Sequence, residues 1–107
     1  MRQQWNVYAT DPEGEIAFLV VSSDEVNTVF PYVTVVPVVP LEEGRQVYPI
    51  EAVLPDGFSA RAAVASVALI HQIRTLKADR LTDHRGAVND EAVQSTVREA
   101  MIAFFGL

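Results

Sequence analysis

Polar and apolar positions alternate in the opening segment, Gln4-Trp5-Asn6-Val7-Tyr8, the pattern of a strand with one buried face. Asp11-Pro12-Glu13-Gly14 follows as a turn, because proline presets one dihedral and glycine accepts the positive one. An almost unbroken apolar run over residues 16–21 predicts a strand covered on both faces, and Ser22-Ser23-Asp24 ends it. Residues 25–30 fit a short helical turn or a loop. Residues 32–39 are nearly all β-branched and give the strongest strand in the chain. Pro37 inside that run predicts an edge position or a bulge. Residues 41–44 form an acidic loop, in which Glu42-Glu43 reads as solvated. Residues 47–54 read as a further strand, and Pro55-Asp56-Gly57 as a turn. The stretch 60–70 suits either two short strands or a helix, with strand favoured at 66–69. Residues 75–81 predict one or two helical turns.

The last element is a helix with signals at its start. Asn89 is the expected N-cap, followed by Asp90 and Glu91, which favour the positive end of the helix dipole. Val93, Val97, Met101 and Phe104 recur every three or four residues and define one apolar stripe. Ile102 and Phe105 lie off that stripe and call for a second surface, such as another subunit. The sequence ends on Phe104-Phe105-Gly106-Leu107, so the stripe assigns Phe104 to the core and leaves Phe105 as an aromatic knob for a partner. With strands first and a helix last, the fold class is α+β, built around a strongly curved sheet.

Composition narrows the chemistry. A chain of 107 residues with half its residues apolar fits one domain with a sizeable core. It carries 8 basic against 14 acidic residues, a net charge of −6. That argues against affinity carried by phosphate contacts over the whole surface, while leaving room for a local basic groove. Without cysteine there is no disulfide framework, no thiolate nucleophile and no sulfur-ligated metal. No apolar run is long enough to span a membrane, and Met1 is followed by polar residues instead of a signal core, so a cytoplasmic protein is expected. His71 and His84 are the only histidines, and no neighbouring carboxylates give them metal-ligand spacing. His71, after an apolar run, is expected to be a half-buried histidine with its hydrogen bonds satisfied. Neither a phosphate loop, a dinucleotide fingerprint nor a nucleophile elbow occurs, and no cofactor is expected. Arg74, between apolar neighbours, suits a dimer interface or an RNA contact.

Several short stretches carry a family resemblance. The opening residues 4–8, Ser23-Asp24-Glu25-Val26-Asn27-Thr28, Val47-Tyr48-Pro49-Ile50, Ala65-Ser66-Val67 and the ending Ile102-Ala103-Phe104-Phe105-Gly106-Leu107 resemble CcdB toxins. Thr34-Val35-Val36-Pro37-Val38, Tyr48-Pro49, and Gln72-Ile73-Arg74-Thr75-Leu76 with Arg80-Leu81 resemble MazF toxins. Over nearly its whole length the chain is similar to the CcdB/MazF superfamily of type II toxin–antitoxin toxins. The resemblance implies an SH3-like β-barrel with a C-terminal helix, a homodimer, and a cognate antitoxin.

The two branches imply different activities. MazF-type toxins cut single-stranded RNA with an arginine that opens the second strand and a threonine that closes the third. Those slots hold Ile16 and Val39 here, and neither side chain can bond a phosphate or stabilise developing charge. CcdB-type toxins cut nothing and poison DNA gyrase by inserting C-terminal aromatic residues into its A subunit. By that likeness Phe105 would be the inserted ring, in place of the family's tryptophan, with Gly106 allowing close backbone approach and Leu107 filling an apolar contact. Gyrase poisoning is therefore the leading expectation, with no catalytic residues. The alternative is a MazF-like endoribonuclease with relocated groups, for which Glu15, Arg45 or Arg74 would substitute. A third possibility is a toxin fold that only binds a partner.

Overall fold

The computed structural model describes residues 1–55, 57–58 and 64–107. Among the described residues, seven strands form one antiparallel sheet: β1 (Asn6–Ala9), β2 (Ala17–Val20), β3 (Tyr32–Pro40), β4 (Glu51–Leu54), β5 (Ser66–Leu69), β6 (Arg74–Lys77) and β7 (Asp83–Ala87). Their order is β4-β5-β3-β2-β1-β7, with β6 added beside β3. Two helices accompany them, α1 (Asp24–Val29) and α2 (Glu91–Phe105), and single 3₁₀ turns at Ile70–Gln72 and Ala78–Arg80 flank β6. This is the α+β class expected, a curled antiparallel sheet closed by a C-terminal helix.

The long strand β3 organises the rest. Along one side it pairs with β2, with Ala17 opposite Val38 and Val20 opposite Val35. Along the other it takes two partners in succession: β6 over Tyr32 to Val35, then β5 over Val38 to Pro40. Pro37 falls in the gap between them. It therefore takes a local edge position within a central strand, one of the two settings its sequence context predicted. A central strand tolerates it because the N–H that proline lacks has no neighbouring strand to meet on that side.

Alternation along β3 divides the apolar residues between two faces. Val36 and Val38 join Val7, Ala17, Leu19, Ala52, Leu54, Ala68 and Ile70 in the main core, which α2 covers with Val97 and Ala100. Val33 and Val35 look the other way and pack with Tyr8, Phe18, Val20 and Leu81 in a smaller cluster. The four residues of β2 are all buried, as a strand covered on both faces requires.

Several expectations are corrected. The helical turns expected over 75–81 reduce to one 3₁₀ turn at Ala78–Arg80, and Arg74–Lys77 is strand β6. The first half of β3 would otherwise have an unpaired side, and that pairing decides the conformation. The strand predicted over 47–54 is confined to Glu51–Leu54, since the chain turns at Tyr48, whose carbonyl accepts from the Glu51 amide at 2.9 Å. Strand β1 starts at Asn6, because Trp5 before it has φ +68°, a left-handed conformation uncommon outside glycine. There Trp5 donates to the Val20 carbonyl at 2.8 Å and accepts from the Val88 amide at 2.7 Å. The N-cap of α2 is Asp90, not Asn89, with its carboxylate accepting from the amides of Ala92 and Val93. Phe104 is exposed instead of packed in the core; the buried stripe of α2 runs through Val97 and Ala100 and stops short of the last turn. The turn at 55–57 and the stretch 60–70 are described only in part, since Asp56 and residues 59–63 lie outside the described residues.

Candidate functional site

The face of the sheet opposite α2 carries the polar chemistry. Arg74 opens β6 directly opposite Val35, and Val35 lies next to Phe18 in the smaller cluster. The Arg74 guanidinium accordingly stands over the Phe18 ring, 5.8 Å from its centroid, a cation–π arrangement. Its Nε donates to the Gln72 carbonyl at 3.3 Å and its Nη2 to Gln72 Oε1 at 3.4 Å. On the other end of that amide, Gln72 Nε2 lies 3.4 Å from His71 Nε2. Among the described residues Arg74 has no carboxylate partner, so its charge is open to an anion.

A second cation is already committed. Glu51, buried at the head of β4, receives Arg45 in a two-pronged ion pair, Nη1 to Oε1 at 3.0 Å and Nη2 to Oε2 at 2.8 Å. The Tyr48 amide adds a third bond to Oε1 at 3.1 Å. The Arg45 bonds hold the Glu51 carboxyl below its ordinary value against the opposing effect of burial, helped by the Tyr48 amide and by the charges of Arg45 and His71. Glu51 is paired with Leu69 across the β4–β5 ladder, and the chain passes from Leu69 through Ile70 to His71. Arg45 and Glu51 before and at the head of β4, and His71, Gln72 and Arg74 before and at the start of β6, are thus two groups linked through the β4–β5 ladder.

The two slots singled out by the family resemblance lie side by side on this face. Continuing the β2–β3 register by one residue from Ala17 opposite Val38 sets Ile16 opposite Val39. Ile16 is exposed and Val39 half-buried, so both slots are accessible but apolar. Glu15 is exposed on the segment leading into β2.

Charge is distributed unevenly along the chain. In the segment 71–80, Arg74, Lys77 and Arg80 are exposed and Asp79 is the one acid. Lys77 stands opposite Tyr32, which is itself exposed. A protein of net charge −6 therefore has a locally cationic outer strand with exposed aromatic surface beside it. Among the described residues, no cluster of three or more His, Asp or Glu is placed to hold a metal ion, and no helix is long and apolar enough to cross a membrane.

The C-terminal knob has a different character. Phe105 is half-exposed and Leu107 almost fully exposed. With Arg98, Met101 and Ile102 they line an open apolar hollow of about 380 Å³. Phe104 and Phe105 meet edge-on with centroids 5.1 Å apart. Gly106, expected to permit close approach of a partner, terminates α2: at φ +74° its amide donates to the Ile102 carbonyl at 2.9 Å, a left-handed helix stop.

Sequence reasoning singled out Arg45 and Arg74 as candidates but not the side chains they meet, Glu51 and Gln72. His71 is exposed, not half-buried as its apolar approach suggested, because the 3₁₀ turn at Ile70–Gln72 buries Ile70 and turns His71 outward. The available signal was the polar pair His71-Gln72 interrupting an apolar run between Ile70 and Ile73. Glu51 was legible only as an acid within a strand, with no clue to Arg45 as its partner.

Comparisons with known proteins give a consistent result. A family model described as PemK-like, MazF-like toxin of type II toxin–antitoxin system matches residues 5–105. The fold is similar to an endoribonuclease in complex with its cognate antitoxin from a mycobacterial species, with TM-score 0.80 and 22% identity, covering 100% of this chain and 97% of that one. It is also similar to Mycobacterium tuberculosis toxin MazF-mt6, with TM-score 0.75 and 17% identity over 95% and 97% of the two chains. A Deinococcus radiodurans MazE–MazF structure matches with TM-score 0.73 and 23% identity over 99% and 97%. A search of curated protein sequences returns no significant match. Neither the family model nor these neighbours supports the CcdB side of the resemblance or a gyrase partner.

Proposed function

Because this chain belongs to the PemK-like, MazF-like toxin family of type II toxin–antitoxin systems, we propose that it is a toxin acting on single-stranded RNA as an endoribonuclease. This replaces the gyrase-poisoning expectation as the leading reading. The observation that carries it is Arg74: a guanidinium with no carboxylate partner among the described residues, stacked over Phe18 on the locally cationic strand β6. A cation steadied over a buried aromatic ring suits a phosphodiester oxygen, and it leaves a local attraction for RNA despite the acidic whole. Structural neighbours that are endoribonucleases add support.

The departure at Ile16 and Val39 removes the groups that the resemblance would put at the reacting phosphate. Arg74 takes over the phosphate in this reading, while Arg45, tied to Glu51, keeps the head of β4 in place. A cognate antitoxin is proposed as a partner, as in the mycobacterial and Deinococcus complexes. A homodimer is proposed through the apolar end of α2, where Ile102, Phe105 and Leu107 stand exposed and would bury a continuous apolar surface against a second copy. Incubating the full chain with single-stranded RNA and sequencing the new ends tests the activity. Discrete cleavage, weakened in R74A, is the supporting outcome; intact RNA at all concentrations refutes it.

A further inference from the structure

We infer that Arg2 and Arg74 together form a two-guanidinium site for the backbone phosphates of single-stranded RNA, built over the paired rings of Tyr8 and Phe18. The nature of the anion rests on the endoribonuclease reading above; the assignment of Arg2 goes beyond it. Tyr8 and Phe18 stand directly opposite each other across β1 and β2, so their side chains leave the sheet on the same face. Both rings are buried in the smaller cluster. The Arg2 guanidinium lies 5.7 Å from the Tyr8 centroid, and the Arg74 guanidinium 5.8 Å from the Phe18 centroid. Two cations distant in sequence are thus set over neighbouring rings.

Each is held in the same way. Arg2 Nε donates to the Leu81 carbonyl at 2.7 Å, and Arg74 Nε to the Gln72 carbonyl at 3.3 Å. A guanidinium anchored at Nε keeps its Nη fork for an outside acceptor, and that planar fork matches the oxygens of a phosphate. Arg74 spends Nη2 on a long contact with Gln72 Oε1. Among the described residues, neither Nη of Arg2 meets an acceptor.

Missing neutralisation sets this pair apart. Arg45 and Arg85 are ion-paired with Glu51 and Asp83, whereas among the described residues Arg2 and Arg74 have no carboxylate partner. Acids are not scarce in this chain, with 14 against 8 bases. Strands β1, β2 and β3 nevertheless contribute no carboxylate. The segment 78–81, which packs into the same cluster through Ala78 and Leu81, brings Asp79 and Arg80, which offset each other. His84, beside the Tyr8 ring, is engaged with Asn6 Oδ1 at 2.8 Å. Covering a ring accounts for a cation–π contact at one position. Two uncompensated charges over adjacent rings leave a positive field that an external anion neutralises. Phosphates recur along a nucleic-acid strand, so two fixed cations favour a polyanion over a single ion.

The experiment uses the full chain and a fluorescein-labelled single-stranded RNA of about ten nucleotides. Its riboses are 2′-O-methylated, so that binding is read without cleavage. Anisotropy titrations over a range of salt concentrations give both the affinity and its salt slope. R2A is expected to weaken binding about tenfold and to flatten the slope of log K against log salt by about 0.7, the share of one phosphate contact on a single strand. R74A should do the same, and R2A/R74A should flatten it by about 1.4. R2Q keeps a donor for the Leu81 carbonyl without the charge and should lose as much as R2A, while R2K should recover the slope. Wild-type affinity and slope in R2Q would overturn the site, and a loss confined to R74A would leave the endoribonuclease reading intact. Complete displacement of the RNA by inorganic phosphate at matched ionic strength would make this a site for a free anion and overturn the assignment to RNA. A wild-type chain that binds no RNA at low salt would overturn both.

Discussion

Arg45 and Glu51 face each other through two parallel N–H···O bonds of 3.0 and 2.8 Å, the carboxylate buried and the guanidinium half-exposed. This pair fixes the turn that leads into β4. R45A would leave the buried carboxylate with the Tyr48 amide alone, and the expected loss is about 1–3 kcal/mol in urea unfolding. The pair also sets an acid limit. Glu51 titrates below its ordinary value of 4.5 in the folded chain, so its stabilisation is complete above that pH and is lost as the pH falls through the lowered folded value. Stability should therefore drop more steeply below pH 4.5 in the wild type than in E51Q, with thermal melts across pH 3–7 as the measurement.

Arg85 on β7 acts as a clamp. Its guanidinium donates to the Asp83 carboxylate at 2.7 Å and to the carbonyls of Phe58, Asp11, Pro12 and Gly14 at 2.9–3.1 Å. These bonds fasten the β1–β2 turn to the last strand. A lysine cannot spread donors over a planar fork of this kind, so R85K should destabilise by about 1.5–3 kcal/mol, the range for hydrogen bonds to charged groups. Differential scanning calorimetry measures it directly. A melting temperature equal to the wild type would show that the carbonyls are equally well served by water.

Much of the architecture is legible in the residues themselves. The β-branched run of β3, the apolar run of β2 and the stripe of α2 each declare their burial, because local pattern and tertiary packing agree. β6 and β7 do not. Arg74-Thr75-Leu76-Lys77 is a strand only because half of β3 has a free side there. Asp83-His84-Arg85-Gly86-Ala87 has no apolar alternation and is held by β1 and by the Arg85 clamp. The site divides the same way. Arg74 announces itself as a cation among apolar residues, whereas the link from Glu51 to His71 exists only through the pairing of Glu51 with Leu69, a relationship across the sheet that no local motif encodes.

The apolar end of α2 carries a prediction about assembly. Ile102 and Phe105 are about half-exposed, so the double variant I102S/F105S should keep the fold of the single chain. Light scattering after size exclusion should report a dimer for the wild type and a monomer for the variant at the same concentration. A variant that remains dimeric would move the interface elsewhere.

Since Ile16 falls opposite Val39 by register, the paired change I16R/V39T would set an arginine and a threonine hydroxyl side by side at the edge of the site. A donor aimed at developing charge contributes about 10²–10³ in rate in a formed site. The double variant is expected to cleave RNA at least tenfold faster than the wild type, by about 1.4 kcal/mol of barrier. No gain in a cleavage time course would mean that the phosphate is held out of reach of these two slots.

The central claim is that the Arg74 face, not the C-terminal knob, carries the activity. It is tested most directly by assaying one preparation of wild type and R74A on single-stranded RNA and, in parallel, on DNA gyrase with relaxed plasmid. Wild type should cut RNA at defined positions, R74A should do so about 10²-fold more slowly, and gyrase supercoiling should be untouched by both. RNA left whole by the wild type, together with trapped gyrase cleavage complexes, would contradict the account.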